Sequence, residues 1–151
     1  VSGRAGRAKA PGRVLLQSHY PDHPALLAML NNPFAEYARE LLNRRRQNGL
    51  PPDGKLVIVR TDCADAASGE QFLQALRTAT EPSLPAGARL IGPLPSPMQR
   101  RAGKFRSQLV LAATDRGSAQ HAAGQLVACA ETLRARSDLK WTIDIDPMDV
   151  F

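Results

Sequence analysis

The feature that most constrains this chain is the stretch of residues 89–113, in which two extended segments flank a proline-rich and strongly basic tip. Helix-breaking residues fill its first half and bend the chain. They are Gly92, Pro93, Pro95 and Pro97. In the second half, apolar and polar residues alternate from Phe105 to Leu111, which is the period of a strand. The stretch therefore predicts a short strand, a bend and a returning strand.

Cations gather at the predicted tip. They are Arg100, Arg101, Lys104 and Arg106, with Phe105 as the single aromatic residue among them. A sheet that presents such a basic finger is suited to contact nucleic-acid phosphates. A solvated loop whose arginines serve solubility is the alternative.

Composition limits the possible classes. The chain has 151 residues, of which 43% are apolar, enough for one domain or one domain with an appendage. Cys63 and Cys129 lie far apart without metal-ligand spacing, which indicates a reduced, cytoplasmic setting. No apolar run approaches the roughly 20 residues of a membrane span, and no signal peptide opens the sequence.

The net charge of +6 is unevenly distributed. Residues 1–60 contain ten Lys and Arg against four acids, whereas residues 61–151 contain ten of each. A basic first third predicts an anionic partner such as nucleic acid. Because the sequence begins at Val1 within an apparent motif, we expect it to be a fragment of a longer protein.

The first part of the chain reads as a Gly-rich turn, a strand near residues 13–17 and two helices. Pro24 suits the start of the first helix, and Asn32 with Pro33 suits the start of the second. The apolar stripe of the second helix is Phe34, Tyr37, Ala38, Leu41 and Leu42. Arg44, Arg45 and Arg46 fall in its last turn, where they complement the helix dipole or bind an anion, and Gly49 ends it.

From Lys55 onward the pattern is β-α-β-β-α-β, so we predict an α+β, ferredoxin-like domain with two helices on one face of a four-stranded sheet. Ser68 and Gln71 form a capping box for the first helix, and Asp115 caps the second. The other face of the sheet is predicted to be polar. Its candidate members are Arg60, Arg106, Asp144 and Asp146.

Signals for catalysis or metal binding are weak. His19, His23 and His121 are scattered, and no phosphate-binding GxxxxGK[ST] loop is present. Asp144 and Asp146 alternate on the last strand and could bind a metal, but neighbouring arginines on adjacent strands favour cross-strand ion pairs. We expect no metal site in this chain.

SGRAGR, at residues 2–7, resembles the last conserved motif of superfamily 2 helicases, Q-x-x-G-R-x-G-R. The resemblance implies that Arg7 is an arginine finger at the γ-phosphate of ATP, with Arg4 beside it. Such a finger can contribute about 10³-fold or more to the rate. It acts only beside a nucleotide site that this chain lacks, so the chain alone is expected to be inactive.

The resemblance extends through SGRAGRAKAPGRVLLQSHYPDHPAL, FAEYARELLNRRRQNGLPP and WTIDIDP to the PriA-type DNA helicases, which restart stalled replication forks. It implies that residues 1–20 are the end of helicase lobe 2, that residues 21–53 form a helical connector, and that residues 54–151 form a domain resembling ribosomal protein S10. The parent would be a cytoplasmic, nucleoid-associated, ATP-dependent 3′-to-5′ helicase that uses Mg and carries zinc outside this chain.

The same resemblance implies partners: branched and single-stranded DNA, other primosome proteins, and the acidic tail of single-stranded DNA-binding protein. The tail would bind at Arg116 and Gln120, four residues apart at the start of a helix. Two alternatives remain. One is a free-standing S10-like RNA-binding protein, and the other is an acylphosphatase-like hydrolase whose phosphate loop would be residues 61–65.

Overall fold

The computed structural model describes residues 15–31, 33–133 and 137–147. The described chain divides into two compact units, with the boundary between Leu42 and Asn43. No helix among these residues is long and apolar enough to cross a membrane. Each unit is described in turn.

The first unit contains helix α1, Pro24–Asn31, and most of helix α2, Phe34–Gln47. Pro24 is the first residue of α1, as expected, and the Nδ1 of His23 accepts a hydrogen bond from the amide of Ala25. Neither helix has a buried residue. The apolar stripe of α2 therefore remains at the surface, with Phe34 83% exposed.

Helix α2 ends as the sequence predicts. Gly49 has a φ of 63°, a left-handed conformation that glycine adopts without a Cβ penalty. The amide of Leu50 donates to the Arg45 carbonyl at 2.9 Å, and that of Gly49 to the Arg46 carbonyl at 3.0 Å. This pair of bonds is the Schellman motif, which satisfies carbonyls at a helix end.

The second unit follows the predicted β-α-β-β-α-β order. Its elements are β1 Lys55–Cys63, α3 Ala66–Thr80, β2 Ala88–Arg101, β3 Lys104–Ala113, α4 Arg116–Thr132 and β4 Lys140–Ile145. The strands form one sheet in the order β2-β3-β1-β4, with every neighbouring pair antiparallel. This α+β arrangement is compatible with a ferredoxin-like fold.

The main core lies between one face of the sheet and helices α3 and α4. Alternate residues of β1 and β3 point into it, including Val57, Val59, Leu109 and Leu111, all at most 1% exposed. Helix α3 contributes Leu73 and Leu76, and α4 contributes small residues and Leu126. Because side chains alternate along a strand, this burial fixes the register of the two central strands.

The face of the sheet opposite α3 and α4, here called the open face, is only partly polar. Leu56, Ile58, Val110 and Ala112 form a second buried apolar cluster at one end, with Leu50 packed against it. The prediction of a polar face was therefore wrong for this end. The prediction did not include this cluster because Leu50, which belongs to the predicted connecting segment 21–53, packs against the sheet.

Two further local predictions were wrong. Helix α3 is capped by Asp65, which accepts the amides of Ala67 and Ser68, rather than by the Ser68 capping box. Strand β2 is a single strand of 14 residues that continues through its prolines. It does so because register shifts lie between Ile91 and Leu94 and between Pro95 and Arg100, and because β2 lies at the sheet edge.

Candidate nucleic-acid and partner interfaces

The basic hairpin is formed by the far ends of β2 and β3. Ala102 and Gly103 make its turn with φ values of 49° and 79°. Two successive left-handed residues give the tight hairpin turn that matches the twist of the flanking strands. Arg101 and Lys104 face each other directly across this turn. The structure thus brings two of the predicted cations together at the tip.

The next pair inward is Arg100 and Phe105, which are also cross-strand partners. The Cζ atom of Arg100 lies 5.3 Å from the centroid of the Phe105 ring, within the range of a cation–π contact. Phe105 is 36% exposed. One face of the Phe105 ring is therefore covered by a guanidinium group.

Arg106 has a different environment from the tip cations. Its Nε lies 2.9 Å from Oδ1 of Asp62, its cross-strand partner on β1. Its side chain is 18% exposed. Arg106 is therefore half-buried on the open face and has its charge compensated by a carboxylate.

The base of the hairpin is fixed by a residue that the sequence analysis did not select. Arg77 of α3 donates from Nη1 to the carbonyl of Gly92, where β2 changes register. The same guanidinium bonds both carboxylate oxygens of Glu81, one turn further along. The sequence did contain one signal for this contact. Arg77 and Glu81 lie four residues apart near a helix end, a spacing at which oppositely charged side chains can pair.

The arginines of α2 take part in closing the helix. Arg46 forms an ion pair with Asp53 across the Schellman turn, and Arg45 donates from Nη1 to the Pro51 carbonyl at 3.4 Å. Asn48 donates from its side chain to the Arg44 carbonyl at 2.8 Å. These contacts support the interpretation that the arginine triplet stabilises the end of helix α2.

A cleft of about 550 Å³ lies where this turn meets the start of β2 and the end of β3. Arg46 and Arg89 provide its cationic groups, and Asn48 and Thr114 add polar ones. The Nη2 of Arg89 donates to the Asn48 carbonyl at 3.3 Å, which links β2 to the helix end. No acidic residue is among the described residues that line this cleft.

Arg116 and Gln120, the expected tail-binding residues, are both exposed on the first two turns of α4. Asp115 caps this helix, as predicted, by accepting the amide of Ser118 at 2.9 Å and its hydroxyl at 2.7 Å. These hydrogen bonds, with that of the Ser118 amide foremost, lower the pKa of the Asp115 carboxyl. One amide that could have bound an anion is thus already engaged.

The remaining predicted sites have three different outcomes. Arg60 and Asp144 form the expected cross-strand ion pair, with 3.2 Å between Nη1 and Oδ2. Among the described residues, no three His, Cys, Asp or Glu side chains are grouped so as to hold a metal ion. Arg4 and Arg7 lie outside the described residues, so their predicted role stays a prediction.

The hydrolase alternative depended on a phosphate-binding loop at residues 61–65. In the structure, the carboxylate of Asp65 occupies the first-turn amides of α3, with 3.1 Å between Oδ2 and the Ser68 nitrogen. A negatively charged group already sits where the phosphate would bind. The loop therefore gives no support to that alternative.

The described residues thus define an α+β module with a sheet covered by helices on one face and a basic hairpin at one end. Residues 46–148 match the family model of the primosomal protein N C-terminal domain, and the chain belongs to this family. The resemblance to PriA-type proteins that the sequence predicted is therefore confirmed.

Three similar proteins carry the same name. Over 150 residues, 99% of this chain, it is 33% identical to the Replication restart protein PriA of Haemophilus influenzae. The proteins of the same name from Synechocystis sp. and Bacillus subtilis are 33% and 26% identical over 111 residues, or 74% of this chain. The chain spans 20%, 13% and 14% of the lengths of these three relatives.

Proposed function

We propose that this chain is the C-terminal part of a replication-restart DNA helicase and that its role is to bind DNA and partner proteins. The observation that carries this is the basic hairpin in a chain of the PriA family. Arg101 and Lys104 stand at the tip of the β2–β3 hairpin, and within the described residues neither is paired with a carboxylate. Cations placed in this way can contact phosphates without first breaking an ion pair.

In this proposal residues 54–151 are an S10-like module, residues 21–53 are a helical connector, and residues 1–20 end a helicase lobe. The parent is an ATP-dependent 3′-to-5′ helicase of the cytoplasm and nucleoid that uses Mg and holds zinc in another region. Its partners are branched and single-stranded DNA and the other primosome proteins. The residues proposed to contact DNA are Arg100, Arg101, Lys104, Phe105 and Arg106, with Arg44, Arg45 and Arg46 as a second, weaker group.

The test is a salt titration of DNA binding by this chain. Changing Arg100, Arg101 and Lys104 together to Ala should reduce the slope of log K against log salt by about two to three units, since each lost duplex contact accounts for roughly 0.9. Arg116→Ala is the matched control, because it removes one exposed cation from the helix layer. An unchanged slope in the triple variant would contradict the proposal.

The protein-binding part of the proposal concerns Arg116 and Gln120. One turn apart on α4, they can hold the terminal carboxylate and a backbone amide of an acidic peptide such as the tail of single-stranded DNA-binding protein. Titration of that tail against the full-length protein should show weaker binding for Arg116→Ala and Gln120→Ala. If both variants bind the tail as tightly as the wild type, the assignment of Arg116 and Gln120 to tail binding is wrong.

The catalytic part of the proposal rests on the SGRAGR motif. In the full-length protein, Arg7→Ala should abolish DNA-stimulated ATP hydrolysis while DNA affinity stays near that of the wild type, because the arginine finger acts at the γ-phosphate. ATP turnover and DNA binding are measured on the same preparation. Retained turnover would assign Arg7 a structural role instead.

A further inference from the structure

Strand β4 is an outer strand of the sheet, because the strand order is β2-β3-β1-β4. It pairs with β1 over its whole length without a register shift, from Lys140 opposite Asp62 to Ile145 opposite Val57. It contains no proline, and each of its residues is exposed or half-buried. Within the described part of the chain, β4 therefore has a regular outer edge with which no other strand pairs.

A hydrogen bond at the end of β4 shows which of its backbone groups point outward. The amide of Asp146 donates to the Leu56 carbonyl at 2.9 Å, in continuation of the register between β1 and β4. Because hydrogen-bonded and non-hydrogen-bonded pairs alternate along an antiparallel ladder, the even-numbered residues of β4 bond to β1. The N–H and C=O groups of the odd-numbered residues therefore point away from the sheet. These residues are Trp141, Ile143 and Ile145.

The side chains of the same three residues lie on the side of the sheet that carries α3 and α4. Val57 and Val59, which belong to the main core, are the cross-strand partners of Ile145 and Ile143. Trp141 and Ile143 pack against that core, whereas Ile145 is 52% exposed. A short apolar row thus runs along the outer edge and ends in an exposed isoleucine.

The opposite side of β4 is polar. Lys140, Thr142 and Asp144 are exposed there, and the exposed Asp146 directly follows the strand. Asp144 is paired with Arg60. Within the described part of the chain, neither Lys140 nor Asp146 is in an ion pair. The charge along this edge therefore changes from positive at the start of the strand to negative at its end.

We infer that β4 pairs antiparallel with β4 of a second copy of this chain, so that the two four-stranded sheets join into one sheet. The symmetry axis passes beside Ile143, which exchanges both backbone hydrogen bonds with Ile143 of the second copy. Trp141 then lies opposite Ile145 of the second copy and covers its exposed side chain. Aromatic and β-branched residues form favourable cross-strand pairs. Symmetry makes each of these contacts twice.

The polar residues of the strand are complementary to themselves in the same arrangement. Thr142 lies opposite Asp144 of the second copy, at a non-hydrogen-bonded position where side chains approach most closely. Its hydroxyl can donate to that carboxylate. Lys140 comes opposite Asp146 of the second copy, which joins opposite charges. This match of the strand with its own reverse favours a second copy over an unrelated peptide.

The outward backbone groups also limit the register. They allow only registers in which odd-numbered residues of the two copies lie opposite one another. The neighbouring register is centred on Thr142 and places Ile145 opposite Leu139, which precedes the strand and is buried. The exposed Ile145 side chain would then have no strand residue opposite it. The register centred on Ile143 is therefore the better one.

The first test measures the mass of the chain without DNA by sedimentation equilibrium. The concentration series reaches the millimolar range, because an interface of one short strand is small and its association is weak. The wild-type chain should pass from monomer to dimer as the concentration rises. A chain that stays monomeric throughout would overturn the inference.

Two substitutions at Thr142 should change the affinity in opposite directions. Thr142→Lys places a cation opposite Asp144 of the second copy and should tighten the dimer about fivefold, because two cross-strand pairs of opposite charge are gained. Thr142→Asp places like charges opposite each other and should weaken the dimer by a similar factor. If both variants weaken it, the strands pair in the register centred on Thr142 and the inferred register is wrong. Unchanged affinity in both would show that β4 is not the interface.

Ile143→Pro tests the backbone bonds directly. It removes the N–H group that points outward and spares the bonds between β4 and β1, so the dimer should weaken about tenfold through the loss of two hydrogen bonds. Ile143→Val is the matched control, because it keeps the N–H group and a β-branched side chain, and its affinity should stay near that of the wild type. Thermal unfolding shows whether the proline variant folds. If it does not, the two Thr142 variants decide.

This inference and the proposed function can fail separately. The residues proposed to contact DNA lie on the hairpin and on α2, and none of them is on β4. A monomeric chain with salt-dependent DNA binding would overturn the dimer and leave the proposed function in place. A dimeric chain that binds no DNA would overturn the proposed function and support the dimer.

Discussion

The hairpin tip and the last turn of α2 are the two basic clusters of this chain, and they differ in what surrounds their charges. The α2 cluster, Arg44–Arg46, lies at a helix end where Asp53 and the Pro51 carbonyl bind two of its guanidinium groups. At the tip, Arg101 and Lys104 face each other across a turn that contains only Ala102 and Gly103. Similar runs of cations therefore have different capacities to bind an added anion.

The physical reason lies in the turns. The Schellman turn after α2 brings the chain back along the helix end, so Asp53 comes within reach of Arg46. A two-residue hairpin turn returns no chain beyond the tip, so no acid from the turn can reach its cations. The local backbone, rather than the number of cations, therefore decides which cluster remains available to bind an added anion.

The largest effect expected from this comparison concerns DNA binding. Changing Arg44, Arg45 and Arg46 together to Ala should reduce the salt slope by at most about one unit, against about two to three for the hairpin triple variant. The reason is that contacts within the protein already engage Arg45 and Arg46. Both variants are titrated with the same duplex. Equal slope losses would show that the fold does not distinguish the clusters.

The two turns contain glycines that can be tested by the same substitution. Gly49 and Gly103 both have positive φ, and a Cβ at either would meet nothing within 4 Å. Gly49→Ala and Gly103→Ala should therefore each cost only the backbone strain, about 1 kcal/mol in the free energy of unfolding. Denaturant unfolding of both variants measures it. A cost several times larger at one turn would reveal packing there.

A smaller effect is expected when Arg46 of the α2 cluster loses its ion-pair partner. Asp53→Ala removes the partner of Arg46 in an ion pair whose two side chains are 65% and 47% exposed. The loss of stability should stay below about 1 kcal/mol, as for other exposed pairs. The salt slope of DNA binding should become steeper by up to about 0.9. If the slope stays constant, Arg46 does not reach DNA even when released.

The smallest expected effect is a pH dependence that involves neither cluster. Hydrogen bonds from Ser118 lower the pKa of Asp115 in the folded chain below its ordinary value of 3.8. The stability contributed by this cap is therefore present above that value and is lost as the pH falls through the lowered folded pKa. Thermal unfolding of the wild type and Asp115→Asn at several acidic pH values measures it. A constant difference between them would exclude this linkage.

Much of the fold could be predicted because the apolar periods of 2 and 3.6 residues are clear from Lys55 onward. The element order, the Asp115 cap and the Arg60–Asp144 pair all followed from local pattern and strand alternation. The predictions that failed concern features that depend on contacts between residues far apart in the sequence. The burial of Ile58 and Val110 beneath Leu50, for example, needs a turn whose direction no local pattern gives.

The candidate site was predictable only in part, for similar reasons. The sequence identified Arg101 and Lys104, whose neighbours are local. It did not identify Arg89, because the position of this residue beside Arg46 in the cleft depends on how the start of β2 lies against the turn after α2. Nor did it show that Arg106 is compensated by Asp62, a residue 44 positions away in the chain but directly opposite it in the sheet.

The prolines of β2 have a consequence for how such a long ribbon can exist in a crowded cell. β2 is an edge strand, and a free edge with unpaired N–H groups invites another chain to add a strand, which leads to aggregation. Pro93, Pro95 and Pro97 have no N–H to donate, and the register shifts beside them break the regular spacing that a second strand would need. This long edge strand is therefore a poor template for self-association.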